Sequence, residues 1–403
     1  MDTHQAIVIG GGIGGLTAAL ALHRQGVPVT VHERAASLEP VGAGLALAPN
    51  ALRALDRLGV GDRLRALATP HPAVGVRHPS GRWLARTDTA AFETHFGDTI
   101  AAVARAEVID ALVDALPAGT VRTGSPAELV DPGAAGDPTS PAAPAAPAVV
   151  RTADGEQAAG LVVAADGIRS ASRGLLFPHH PGPRYSGFTT WRTIVPTPGR
   201  YPAAAGEVWG RGRLAGIVPL AGDRVYVYGA ALAPAGARAA DGDEKAELLR
   251  RYGTWCAPVP ELLAAADPAR VLRHDVWELA DPLPAYHRGR VALLGDAAHA
   301  MCPFQGQGAC QAIEDAVVLA AGVGPGADPA AGLPGYTAAR LPRTTSIVTG
   351  SRRVGALVAR RSPVAALLRD TALAVAGLLP DRVLLSRADA TYNWHPPTPR
   401  HTA

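Results

Sequence analysis

Residues 6–33 read AIVIGGGIGGLTAALALHRQGVPVTVHE, and this stretch decides the fold. Ala6 to Ile9 is a short apolar run suited to a fully buried parallel strand, and it stops at Gly10, Gly12 and Gly15 in the spacing GxGxxG. A helical pattern follows at once. Gly10 permits a tight turn, Gly12 carries no side chain to hold a pyrophosphate away, and Gly15 lets the helix lie close to the strand. With Ile13, these positions form a corner whose free helix N–H groups and positive dipole end face phosphates. Gly26 ends the helix, Val29 and Val31 begin a second strand, and Glu33 stands at that strand's carboxyl end, where an acid binds the hydroxyls of an adenosine ribose. An acid at this position favours FAD or NAD over NADP, because a 2′-phosphate is repelled. It does not separate FAD from NAD.

Composition excludes several other classes. The chain has 403 residues, 48% hydrophobic and 18% charged, which suits one large domain with a smaller second one. The net charge is +3, and the arginines are scattered without a run that suggests nucleic acid or a polybasic membrane patch. Cys256, Cys302 and Cys310 show no CxxC or zinc spacing, so no metal site is expected, and three cysteines fit a reducing, cytoplasmic setting. The first strand begins too close to Met1 for a signal peptide, and none is expected.

Further along, the small residues Gly42 to Gly44 suit a backbone passing near a cofactor, although taken alone they read first as a loop needing positive φ, and Leu52, Leu55 and Leu58 give the next helix its apolar face. Residues 73–97 look like short strands that leave the cofactor domain, with a turn at Pro79 to Gly81. Arg105 opens a helix carrying Val108, Leu112 and Leu116, placed to reach a pyrophosphate or to lie in solvent. The proline- and alanine-rich tract 132–148 is expected to be a hairpin tip. Leu161 to Ala165 is another buried strand, and Asp166-Gly167 follows at its carboxyl end, where open α/β sheets bind ligands and where Asp166 can also cap a structural turn. From Tyr185 to Tyr228 the pieces are short, β-branched and aromatic, the texture of a mostly antiparallel sheet. Helices at Asp243 to Trp255 and Glu261 to Ala266 are expected to cover one face of it.

A second corner follows near the other end. Val291 to Leu294 is a buried strand, then Gly295-Asp296 places a carboxylate at the strand tip. Gly306, Gly308 and Ala309 leave a bare backbone before a helix, whose N–H groups suit a flat ring that gains negative charge on reduction. A flavin needs such a helix, whereas a nicotinamide does not. Val364 to Leu379 is apolar but interrupted by Arg369 and Asp370, too short on either side to span a membrane. It is read as a helix packed on the cofactor domain, with interfacial membrane contact as the lesser alternative.

Taken together, GxGxxG with Glu33, Arg105, DGIRSASR and GDAAHAMCPFQGQGACQAIEDAVVLA resemble the single-component FAD-dependent aromatic hydroxylases. The nearest branch holds the salicylate, 3-hydroxybenzoate and urate hydroxylases. The resemblance implies an α/β protein: a Rossmann-like FAD domain (1–72, 98–180 and 270–355), an inserted mostly antiparallel β-sheet substrate domain (73–97 and 181–269), and a C-terminal helical segment with its tail (356–403). It implies that Glu33 binds ribose, Arg105 contacts FAD, Asp296 binds the ribityl chain, and backbone near Gly306 to Ala309 meets the flavin. Asp166 and Gly167 serve FAD and NAD(P)H. Tyr336, Arg340 and Arg343 match a recurrent structural stretch. The implied chemistry uses NADPH or NADH to reduce FAD and O2 to form a C4a-hydroperoxide, which hydroxylates an aromatic, phenol-like molecule. For catalysis the sheet offers Tyr226, Tyr228, Arg192 and Arg213. Either a monomer or a homodimer is expected, without a nucleic-acid partner. Two alternatives stay open: a flavin-dependent halogenase, although Trp191 to Pro196 lacks the second tryptophan of WxWxIP, and an FAD-binding protein without turnover.

Overall fold

The computed structural model describes residues 5–38, 43–69, 73–134, 146–197, 205–323 and 328–398. At its centre lies the strand Ala6–Ile9, every residue of which is buried. It pairs in parallel with Leu161–Ala164 on one side and Val29–His32 on the other. A strand with neighbours on both edges and every residue buried in the core has no solvent side, and this accounts for the unbroken apolar run. The sheet has six strands, in the order His287–Arg288, Val291–Leu293, Leu161–Ala164, Ala6–Ile9, Val29–His32, Val121–Arg122. Only the edge pair His287–Arg288 is antiparallel to its neighbour.

The helices Ile13–Arg24 and Gly308–Ala321 pack against each other over this sheet, so the two glycine corners come together although they are far apart in sequence. Gly15 makes the first corner possible. A Cβ there would stand 2.0 Å from the Gly10 carbonyl oxygen, and one on Gly10 itself, at φ +108°, would stand 2.4 Å from that of Ala165. The strand and its helix can close up this tightly only without those side chains.

A second sheet of seven strands runs Leu272–Glu278, Arg184–Pro196, Arg224–Leu232, Arg213–Leu220, Ala205–Trp209, Ala73–Arg77, Trp83–Asp88. All its pairings are antiparallel except Ala205–Trp209 with Ala73–Arg77. Side chains alternate between its faces. Trp191, Val195, Ala215, Ile217, Val225 and Val227 face the helices Glu244–Tyr252 and Val259–Ala264 and form a separate core with them. The opposite face turns to the glycine corners.

Two segments depart from expectation. Leu272–Glu278, placed by sequence in the cofactor segment, hydrogen-bonds to Arg184–Pro196 as an edge of the seven-stranded sheet. Within 73–97, read as strands, Thr89–Phe96 is a helix: the Asp88 carboxylate caps it by accepting from the Ala90 and Ala91 amides, and Gly97 ends it in the left-handed conformation. The tract 132–148 lies largely outside the described residues, but Glu128–Asp131 and Ala148–Thr152 on its flanks pair antiparallel, as a hairpin requires. Near the C-terminus, Arg53 donates to the Tyr392 and Trp394 carbonyls and ties the tail to the cofactor domain.

Candidate active site

A cavity of about 420 Å³ opens between the two glycine corners and the inner face of the seven-stranded sheet. Gly12, Ile13 and Gly15 line it from the first corner, Gly295, Asp296, Gly306, Gly308 and Ala309 from the second, and Ala43 and Gly44 from the crossing strand. Gly44 lies so near the Tyr226 ring that a Cβ would stand 2.6 Å from it.

Arg105 begins the helix Arg105–Asp114, and a Cβ on Gly12 would stand 3.9 Å from its guanidinium. It forms no ion pair among the described residues. Burial lowers its pKa against the pull of Asp296, with Arg192 adding repulsion. A cation held beside a helix N-terminus, with no protein anion in contact, is matched to a phosphate. Glu33 follows the second strand; one carboxylate oxygen accepts from the Gly11 amide at 2.7 Å and the other from Ala35 at 2.8 Å. Each oxygen keeps a lone pair for a hydroxyl.

At the second corner the Asp296 carboxylate faces the cavity without a hydrogen bond among the described residues. Behind it, Asp315 accepts from the Gly295 amide at 3.0 Å and pairs with His299 at 2.6 Å and Arg340 at 2.7 Å. His299 is therefore a buried support for this corner. The helix Gly308–Ala321 starts in the cavity wall, and its first-turn N–H groups have no partners within the helix. Asp166 is not in the wall, although Ala165 and Gly167 are. One of its oxygens caps the helix Ala171–Leu176 by accepting from Ser172, and the other is buried without a partner. The bare loops, the unpaired Arg105 and Asp296, and the open helix ends fit FAD.

On the sheet, Arg192 and Tyr226 line the cavity, but Arg213 does not. Its guanidinium sits 5.9 Å from the Tyr252 ring centre and 5.6 Å from that of Trp255, on the helix-covered face. Alternation decides this: on Arg213–Leu220 the even positions Leu214 and Val218 point inward and the odd ones away. Trp191 is excluded from the cavity by the same rule.

One row across four strands was not read from sequence. Arg192 pairs with Tyr228, Tyr228 with Gly216, and Gly216 with Glu207. A Cβ on Gly216 would stand 2.0 Å from the Tyr228 ring, so only glycine lets that ring lie over the strand and reach Glu207. Tyr228 donates its hydroxyl to Glu207 Oε1 at 2.6 Å, and Trp209 Nε1–H donates to Oε2 at 2.6 Å. Glu207 has no cationic partner among the described residues. Burial raises its pKa, partly offset by those two bonds, and burial beside Glu207 raises that of Tyr228 well above a free phenol's. Arg192 at the other end of the row forms no ion pair among the described residues. The acid at 207 is visible in sequence, but its partners are set by strand register. Among the described residues no group of three or more His, Cys, Asp or Glu could hold a metal.

The model of the FAD binding domain family matches residues 3–351. The aurachin C monooxygenase/isomerase of Stigmatella aurantiaca is 35% identical over 351 residues, 87% of this chain and 88% of that one. The FAD-dependent urate hydroxylase of Klebsiella pneumoniae is 34% identical over 355 residues, 87% and 89% of the two chains. The crystal structure of Klebsiella pneumoniae HpxO complexed with FAD and uric acid superposes with a TM-score of 0.84 at 29% identity, covering 96% of each chain. The site that the two corners build and these likenesses agree: the chain belongs to the FAD binding domain family, among the single-component FAD-dependent aromatic hydroxylases, and its cofactor is FAD.

Proposed function

We propose that this enzyme hydroxylates an acidic, phenol-like aromatic molecule with O2 and NAD(P)H, in the cytosol. The observation that carries the reading is the row Arg192, Tyr228, Gly216, Glu207 on the wall facing the cofactor corners. Bound FAD, once reduced, supplies the O2 activation. The residues supply the rest. Arg192 holds the anionic oxygen or carboxylate of the substrate. The substrate's hydroxyl proton passes to Tyr228 Oη while the Tyr228 proton passes to Glu207 Oε1, and the phenolate left behind has an electron-rich ring. Trp209 holds the other oxygen of Glu207 in place. Leu214, Val218, Tyr226 and Phe304 keep water from the reacting face. Three free cysteines suit the reducing compartment in which NAD(P)H is supplied.

The halogenase alternative finds no support in the cavity. The single lysine, Lys245, is on the surface helix Glu244–Tyr252 and donates to the Ala264 carbonyl. Anaerobic mixing of the FAD-loaded enzyme with NADPH or NADH, alone and with a panel of phenols, tests the reading. Flavin reduction is expected to accelerate with some phenols, and labelled oxygen from O2 to enter the product. Reduction indifferent to every phenol, with no label incorporated, overturns it and leaves a flavin-binding protein without turnover.

A further inference from the structure

The helix Pro363–Ala376 is inside out. Its ionic residues, Arg369 and Asp370, point inward, both 6% exposed, and pair at 2.7 Å. Arg369 also donates to the Gly210 carbonyl at 2.9 Å and lies 5.7 Å from the Trp209 ring centre. The outward face holds Val364, Leu367, Leu368 and Val375, exposed by 67%, 64%, 66% and 60%, and Leu378 beyond the helix end is 84% exposed. The spacing i, i+3, i+4, i+11 makes one stripe along the helix. Of the nine large apolar side chains exposed among the described residues, all but Leu175 lie between Leu357 and Val383. Apolar surface concentrated this way marks a contact with something outside the chain.

Charge says what that contact is. Arg360 and Arg361 stand just before the helix, and Arg382 and Arg387 follow the stripe; all four are exposed and form no ion pair among the described residues. The acids within 353–387 are Asp370, which is buried against Arg369, and the half-buried Asp381. A twofold contact matches a patch with itself, so a second copy would set these cations against one another. An anionic bilayer accepts both features at once, the leucines into the acyl boundary and the arginines among the headgroup phosphates. We infer that the outward face of Pro363–Ala376, with its flanking arginines, docks this enzyme on an anionic phospholipid surface. The helix is also one side-chain layer from the cavity, since the Trp209 under Arg369 donates to Glu207. Docking there suits a substrate drawn from the bilayer.

Flotation of the FAD-loaded protein with vesicles of equal parts phosphatidylglycerol and phosphatidylcholine tests this. Wild type should float with them, less so in high salt, and weakly with phosphatidylcholine alone. The double variant Leu367→Glu, Leu368→Glu should lose binding by more than about tenfold, and Arg360→Glu, Arg361→Glu should lose most of the preference for the anionic lipid, both with wild-type flavin absorbance. Sedimentation velocity is run alongside. Wild type that fails to float, variants that float as well as wild type, or a non-floating dimer that the leucine variant converts to monomer overturns the inference.

Discussion

The difference between Arg192 and Arg213 shows what a single position decides. Both are arginines on sheet strands of like texture, and their side chains go to opposite faces because a strand reverses direction at every residue. Sequence identifies the strands but not their phase relative to the cavity. Glu207 was missed for the same reason, since its role depends on Gly216 and Tyr228 from two other strands. Removing its charge with Glu207→Gln should slow hydroxylation by about 100-fold or more while leaving FAD content and flavin reduction near wild type; equal hydroxylation rates contradict the assignment. The pH profile separates this from simple misplacement. A proton acceptor works only when ionised, and burial raises the Glu207 pKa, so wild-type turnover should climb with pH through a value above the ordinary carboxylate range. Glu207→Gln should lose that rising limb. Arg192→Met should raise KM by about ten- to a hundredfold with a smaller effect on kcat, measured in steady state.

At the scale of elements, strand, glycine corner and helix from Ala6 to Arg24 were legible because each local rule pointed the same way. The second corner was legible too, through Gly295-Asp296 and the glycines before the helix Gly308–Ala321. Thr89–Phe96 was not, because eight residues with little apolar periodicity carry a helix signal mainly in their caps, Asp88 and Gly97. The edge strand Leu272–Glu278 was assigned by its neighbours in sequence, whereas hydrogen bonds to Arg184–Pro196 place it in the other sheet. Elements also fix what substitution does. Gly15→Ala puts a methyl 2.0 Å from the Gly10 oxygen, and backbone cannot yield as a flexible side chain does. The helix must move off the strand, so the purified variant should carry little flavin and melt well below wild type by circular dichroism. A variant with full flavin and an unchanged Tm would show that the corner is looser than this packing requires.

Across the whole molecule, one buried ionic cluster ties the cofactor corners to the C-terminal half. Arg340 pairs with Asp315 and Glu314 and donates to Gln311 Oε1 at 2.7 Å, while Glu314 accepts from Asn50 at 2.6 Å and from Arg343 at 2.7 Å. Asp315 then holds both His299 and the Gly295 amide that sets Asp296 in place. Burial pushes the Asp315 pKa up, but His299 and Arg340 outweigh it and leave the carboxyl at about 2, below the usual 3.8. A folded-state pKa depressed in this way gives stability that is fully present above the unfolded value and is lost as pH falls through the folded one. The window is therefore about pH 4 down to about pH 2, and the depression corresponds to about 2 kcal/mol. Denaturant unfolding at a series of pH values through that window should show wild type losing stability more steeply than Asp315→Asn. The asparagine variant, less stable at neutral pH because Arg340 and His299 lose their shared anion, should converge on wild type as the solution becomes acidic. Because Asp315 also grips the Gly295 amide, flavin fluorescence should rise from release of FAD over the same acid range in wild type. If the two proteins keep parallel stability curves throughout, the carboxylate does not hold the corners together.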